Sequence, residues 1–343
     1  MPVILEPESG CILDPARADE VLAIRMERGD AVMASAFAAA SRPDLTGYWE
    51  RLKKTGVKGV FLRDAEPRLL KGLHRRPFLQ KRGTCVSRGG CRAAQTSLDY
   101  DIAMRYGLSV ATELSFAQLY SDARHLGGDR FKSDGAITAN VAWTLHDYGV
   151  APQSPLFSGM TEDEQEQLAV KYAAPGVKTP PEWRAAAKGH TAATFLPDSL
   201  PSVFDCIAAG YASVYAMSRI TAMPDANGVS RPGKTGAHCR YFSSVFVDEN
   251  GDDQLGSTES WGRFPAGDAH SEDQTMPVEK IPRITLRYAG GVRKLAPGEV
   301  GVNAKQFYEL IRTGGEVWAI GVTRAFTTNA IADLNRSAAS SVS

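Results

Sequence analysis

Four residues along this chain could together perform acyl transfer. Cys85 lies five residues after Gln80 (85 − 80 = 5) and directly precedes a helical pattern; His238 follows Gly236-Ala237 at the head of a strand-like run; Glu259 precedes Ser260-Trp261-Gly262. A thiol is nucleophilic as its thiolate, and a helix N-terminus favours the thiolate through its partial positive charge and free N–H groups. A histidine brought from a distant strand can take the thiol proton and remain as ion-pair partner. The Gln80 carboxamide, with the backbone N–H of Cys85, would hold a tetrahedral oxyanion. Glu259 would accept the second imidazole N–H and orient the ring, or pair instead with Arg240 or Arg263. Trp261 would shield the orienting contact from water. The ordinary alternatives are a free cysteine used as a small core residue, an exposed loop glutamine and a structural strand histidine. His74, His125, His146, His190 and His270 lack the glycine-to-strand setting of His238.

The elements that must carry these residues divide the chain into a helical half and a strand-rich half. Asp14-Pro15 predicts a helix start, with Asp14 as N-cap and Val21, Leu22, Ile24 and Met26 as its apolar face. Helical character is expected through the alanine-rich run to Ala40, and again from Leu45 to Lys54, stopping at Gly56. Ala94, Leu98, Ile102 and Tyr106 recur every four residues after Cys85, with Gly107 as the stop. Gly89 and Gly90 are poor helix formers, so their place in this helix predicts close approach of another backbone. Ser115 is a candidate cap, Ile137, Val141, Leu145 and Tyr148 mark a further helix, and Thr161 with Glu164 fits a capping box. A short helix is expected over 202–209. Strands are expected near 211–216, 238–247, 254–260, 284–288 and 317–322, with 248–252 as a turn.

The order and spacing of these motifs resemble the papain-like cysteine peptidases over roughly Val57 to Val322. Gln80 leading to Gly83-Thr84-Cys85-Val86 is similar to the family's nucleophile segment, with a Gln-to-Cys interval one residue shorter than usual. Leu114-Ser115 followed by Gln118-Leu119-Tyr120, Asp134-Gly135 before a helix ending Asp147-Tyr148-Gly149-Val150, and Glu259-Ser260-Trp261-Gly262 are similar to later family segments. Glu259 stands where the family has asparagine. The Cys85–His238 separation (238 − 85 = 153) lies near the upper end of the roughly 130–150 residues typical of papain-type chains. The resemblance implies an α+β, two-lobe fold: a helical lobe bearing the nucleophile and an antiparallel sheet or barrel lobe bearing the histidine. The expected divisions are a helical arm over 1–56, a helical lobe over 57–200, a β lobe over 201–334 and a flexible tail over 335–343. It implies a thiol hydrolase with a polypeptide substrate and no cofactor. The alternative is a weak or inactive module assembled into a bacteriophage particle or a homo-oligomer. The 1–56 arm is open to three readings: an extra helical layer, an inhibitory segment or an assembly arm.

Lysine plus arginine and aspartate plus glutamate both number 39, giving a formal net charge of zero. That argues against a general nucleic-acid or anionic-membrane role. No basic-then-apolar leader pattern opens the chain, and the longest apolar stretch, Ala31 to Ala40, is too short to span a bilayer. Cys11, Cys85, Cys91, Cys206 and Cys239 are an odd set with no framework spacing. These features lead to the expectation of a cytoplasmic or virion location. Asp248, Asn250, Asp252 and Glu259 match positions 1, 3, 5 and 12 of a calcium loop, but Asp253 occupies the glycine position, so a polar hairpin turn is the expectation. No cysteine–histidine spacing fits structural zinc, and no glycine-rich phosphate loop opens a helix.

Overall fold

The computed structural model describes residues 11–28, 45–77, 80, 82–109, 112–128, 134–258 and 278–322. In chain order, the first half runs α1 (Pro15–Glu27), α2 (Tyr48–Lys54), β1 (Gly59–Phe61), α3 (Glu66–Leu69), α4 (Cys85–Tyr100), α5 (Phe116–Gly127), α6 (Thr138–Asp147), α7 (Glu162–Tyr172) and α8 (Pro181–Ala187). The second half runs β2 (Ala192–Phe195), α9 (Leu200–Ala208), β3 (Ser213–Thr221), β4 (Val229–Ser230), β5 (Pro232–Val247), β6 (Asp253–Thr258), β7 (Thr285–Tyr288), β8 (Gly291–Lys294), β9 (Glu299–Val302), α10 (Ala304–Gly314) and β10 (Glu316–Val322).

Local chemistry sets several helix starts. Asp14 caps α1 by accepting from the Arg17 backbone N–H, with Pro15 in its first turn. Ser115 caps α5 through Ala117 N–H. Thr161 and Glu164 form the reciprocal capping box at α7. Each of these side chains satisfies a backbone donor that the helix itself leaves open.

Seven strands run in the order β2-β10-β3-β5-β6-β9-β4, with β1 adding to β5 off that path; the β4–β9 pair is parallel and the other pairs are antiparallel. A separate hairpin joins β7 and β8. One apolar core joins helices and sheet, drawing on Val86, Leu98 and Val141 from the helical side and Val214, Tyr215 and Trp318 from the sheet. The fold is α+β. Within the stretch read as purely helical, β1 and β2 both join the sheet, so its strands are drawn from both halves of the chain.

The N-terminal arm differs from its expected packing. Val21 is buried, Leu22 and Ile24 are half-buried, and Met26 is 58% exposed. The inward face of α1 consists of Arg17, Ala18, Val21 and Arg25. Arg25 donates to Thr194 Oγ1 at 2.6 Å, and Arg17 Nε donates to Asn140 Oδ1 at 2.8 Å. Arginine stems can line a core while their heads find polar partners, and an apolar-periodicity reading passes over them. The helix expected from Ala31 to Ala40 and the tail after residue 334 lie outside the described residues.

Candidate active site

Helix α4 begins at Cys85 and packs against the middle of β5. The two glycines explain how closely. A Cβ on Gly90 would stand 2.4 Å from Val141 Cγ1 of α6, and one on Gly89 would stand 3.3 Å from Cys239 Sγ and 3.4 Å from the Arg240 carbonyl oxygen. Gly83 fills the same role before the helix: its added Cβ would stand 2.9 Å from the Gly135 backbone nitrogen. Further along, Ser97 Oγ donates to the Ile320 carbonyl and accepts from Ala212 N–H, both at 2.9 Å, tying α4 to β10 and to the entry of β3.

Polar contacts fix the start of α4. Thr84 is its N-cap residue, but its hydroxyl makes no capping bond. Instead it donates to Glu166 of α7 at 2.5 Å and accepts from Arg88 Nε at 3.0 Å. Arg88 also reaches Glu162 at 3.1 Å and Glu166 at 3.3 Å, with its guanidinium 4.0 Å from the centre of the Phe116 ring. Arg82 bonds Asp134 at 2.8 Å. A charge and an acceptor buried together in this way hold the helix start in one orientation.

Cys85, at the start of α4, and His238, on β5 against which α4 packs, are both fully buried. Burial pushes the thiol pKa up. The side chains of Cys11 and His238, the charge of His238 and the Cys239 backbone outweigh it, holding the thiol down at about 5. Cys11 belongs to the segment leading into α1. It bridges in parallel to Ala136, with Ile12 N–H donating to the Ala136 carbonyl at 3.0 Å. Its thiol pKa is driven well up, first by the Cys85 side chain and then by burial, so Cys11 keeps its proton.

Cys239 is buried beside this pair. Its thiol pKa is also driven well up, mainly by burial and then by the negative charge of Cys85. Glu316 shares its sheet face, since Glu316 opposes Ala216 and Ala216 opposes Cys239. Burial pushes the Glu316 carboxyl up to about 8, partly offset by Trp318 Nε1 at 2.9 Å and by the Ala139 and Thr138 backbone.

Of the sequence-derived candidates, Cys85 opens α4 and His238 lies buried on β5, the strand against which α4 packs. Gln80 is half-buried ahead of α4. Glu259 lies outside the described residues, as do Ser260, Trp261 and Gly262; β6 ends at Thr258, which pairs with Tyr241 of β5. The calcium-loop positions form a turn: Asp248 Oδ1 accepts from Asn250 and Asp252 N–H, each at 2.9 Å, and Oδ2 accepts from Gln254. Among the described residues, no group of three histidine, cysteine or acidic side chains could hold a metal ion, and no helix is long and apolar enough to cross a membrane.

The sequence reading missed Cys11, Cys239, Arg88, Glu166 and Glu316. Arg88 carried one usable signal, because a cation one turn after Cys85 on a helix with so little exposed surface needs a buried partner. Nothing local marked Glu166, which meets Thr84 across 82 residues of chain.

No family model matches the sequence, and no curated protein does so significantly. Solved structures do resemble it. Xylellain, a cysteine protease from Xylella fastidiosa, aligns with 94% of this chain and 100% of its own, at 14% identity and a TM-score of 0.52. Bromelain protease from Ananas comosus aligns with 78% of this chain and 100% of its own, at 11% identity and a TM-score of 0.43. With a helix that opens on the cysteine, packed against a sheet whose long strand carries the histidine, the chain has the papain-like cysteine-peptidase fold.

Proposed function

We propose that the chain is a papain-like thiol hydrolase cleaving amide bonds in polypeptides, with Cys85 as nucleophile and His238 as its proton partner. One observation carries this reading: a cysteine opens a helix packed against the strand that bears a buried histidine, and its thiol is drawn down to about 5 despite complete burial, with that histidine among the causes. Such a thiolate is available near neutrality, where an ordinary cysteine is mostly protonated.

In this mechanism the Cys85 sulfur adds to a substrate carbonyl. The backbone N–H of Cys85 and the Gln80 carboxamide receive the oxyanion. The His238 imidazolium gives its proton to the departing amine, leaving a thioester on Cys85. Water, deprotonated by the now neutral imidazole, hydrolyses the thioester and restores the thiolate. Glu259 takes the imidazole-orienting role in this proposal, with a carboxylate in place of an amide. Cys85 and His238 are both completely buried, so the site must open before substrate enters in this mechanism.

The test offers the reduced full-length protein a mixture of peptides and, separately, a peptidyl electrophile that alkylates thiols. The reading predicts peptide cleavage that Cys85→Ala abolishes, and covalent capture mapped to Cys85. Absence of both cleavage and capture would favour the non-catalytic assembly module instead.

A further inference from the structure

The turn that precedes Cys85 is gripped from α7. One carboxylate oxygen, Glu166 Oε1, accepts from the Arg82 backbone N–H at 3.3 Å and from the Thr84 hydroxyl at 2.5 Å, and Arg88 Nη2 stands 3.3 Å from it. These groups lie on both sides of Gly83 and one turn into α4, so a single buried acceptor fixes both the approach to the helix and its first turn. A second contact holds the same turn. Gly83 packs so closely on Asp134 that an added Cβ would stand 2.8 Å from Asp134 Cβ, and Arg82 Nε bonds the Asp134 carboxylate at 2.8 Å. The element that carries Glu166 is itself anchored. Helix α7 opens on the Thr161–Glu164 capping box, and the neighbouring Gln165 accepts from Ser115 Oγ, the cap of α5, at 3.1 Å.

Thr84 gives up a local bond to join this arrangement. As the N-cap residue of α4, its hydroxyl would ordinarily accept from a first-turn N–H, and it makes no such bond. Its oxygen instead bridges Glu166 and Arg88 Nε. A capping oxygen would set partial negative charge at the helix N-terminus, the end at which the oxyanion of the proposed reaction arrives. Turned to α7, the hydroxyl leaves that end to the substrate.

We infer that Glu166 is a positioning residue for the chemistry at Cys85: it locks the 82–84 turn so that the Cys85 N–H meets the substrate oxyanion in one orientation. This rests on the reading of Cys85 as the nucleophile of a hydrolase. Glu166 touches neither substrate nor reacting atoms in this account; it acts through Thr84 and the Arg82 backbone. Donors aimed at a developing oxyanion work only in place, and a misplacement of about 1 Å can cost about 100-fold in rate. The accepting oxygen carries this role more than the charge does. An amide oxygen in the same position can accept from the same N–H and O–H, which separates positioning from a bare ion pair with Arg88.

The experiment compares the reduced full-length parent with Glu166→Ala, Glu166→Gln and Thr84→Val. Each is assayed for hydrolysis of peptidyl aminomethylcoumarins, for Cys85 alkylation by iodoacetamide, and for amide hydrogen exchange over 82–88. Glu166→Ala should lower kcat about 100-fold, with KM within about threefold of the parent. Alkylation passes through no oxyanion, so its rate should change less than about threefold. Exchange over 82–88 should quicken more than about tenfold, while α9 keeps the parent rate. Glu166→Gln should hold kcat within about tenfold of the parent, because its amide oxygen still accepts from Arg82 and Thr84. Thr84→Val keeps both Glu166 and Arg88 and decides the matter if Glu166→Ala does not fold; its kcat should fall more than about tenfold. Parent kcat in Glu166→Ala or Thr84→Val, an equal loss in Glu166→Gln and Glu166→Ala, or unchanged exchange over 82–88 would overturn the assignment. The two proposals fail separately. A parent that cleaves peptides with kcat unmoved by these variants refutes only the positioning role; a parent that neither cleaves nor captures the peptidyl electrophile refutes the hydrolase, and exchange over 82–88 then decides whether Glu166 locks the turn.

Discussion

Cys85 and Cys91 lie on the same helix, six residues apart (91 − 85 = 6), and neither exposes more than 1% of its surface. Their thiols are nonetheless driven in opposite directions, Cys85 down to about 5 and Cys91 up to about 12. Burial acts on both and raises both. At Cys91 the nearby charges do not reverse it: Arg92, Arg88 and Arg75 pull down while Glu113 pushes up. At Cys85 the side chains of Cys11 and His238 and the Cys239 backbone converge on the sulfur. Cys206 repeats the Cys91 pattern, pushed up to about 12 by burial and then by Asp205 and Asp198. Burial alone thus keeps a cysteine protonated in this chain, and the lowered thiol pKa at Cys85 comes from the groups on β5 and on the N-terminal segment.

The largest way to break that contrast is His238→Ala. It removes the imidazole that helps hold the Cys85 thiol down and leaves the influences on Cys91 alone. The rate of Cys85 alkylation near pH 6 should fall by ~100-fold or more, following the thiolate fraction. The slow alkylation of Cys91 should not change, and circular dichroism should report the same fold. An unaltered Cys85 rate would mean that the imidazole does not hold the thiolate.

Arg88 sits between the two cysteines and ties the start of α4 to α7. Arg88→Leu should leave the Glu166 carboxylate buried without its cation and cost about 3 kcal/mol in chemical denaturation. The double variant Arg88→Leu with Glu166→Gln should recover part of that loss. Equal stability of the single variant and the parent would show that the ion pair contributes nothing net.

Gly90→Ala tests the packing between those same two positions. Its new methyl would meet Val141, so a loss of about 1–3 kcal/mol is expected from overpacking. A gain in stability, the usual result of placing alanine in a helix, would mean that α6 yields easily.

Glu316 supplies the smallest expected effect, and its sign follows from linkage. Burial holds its carboxyl up at about 8 in the fold, against 4.5 for an ordinary glutamate. Between those values the folded chain holds a proton on Glu316 that the unfolded chain has released, so the contribution of this group to stability falls as pH rises through that window. The slope of that contribution is at most about 1.4 kcal/mol per pH unit. The lowered Cys85 thiol acts in the opposite sense over the same range in both proteins, so the readout is the difference in stability between the parent and Glu316→Gln, which should move against the parent between about pH 5 and pH 8. A difference that stays constant across that range would mean that Glu316 is ionised in the fold.

The contrast between the cysteines also marks what was legible in sequence. The helix starts at Asp14, Ser115 and Thr161 were readable because each cap acts within three residues of itself. Gly89 and Gly90 were readable because two glycines in a helix interior are costly unless space demands them. The proposed Cys85–His238 pairing comes from motif order, since neither spacing nor periodicity alone links positions 153 apart. Cys11 was not readable: a single cysteine ahead of a proline-led helix carries no local mark of where it docks. The inward arginines of α1 were missed for a related reason, because apolar periodicity selected Leu22, Ile24 and Met26 while buried hydrogen bonds selected Arg17 and Arg25.

The central claim is that Cys85 is a thiolate near neutrality while the other cysteines are not. The most direct measurement is the ultraviolet absorbance of thiolate in the reduced full-length protein, taken as the difference between the parent and Cys85→Ala and titrated across pH. It needs no reagent to reach the buried sulfur. The account predicts one thiolate in the difference titration with a midpoint near pH 5, the value to which Cys85 is drawn. A difference signal that emerges only above about pH 8, as for an ordinary thiol, would contradict it.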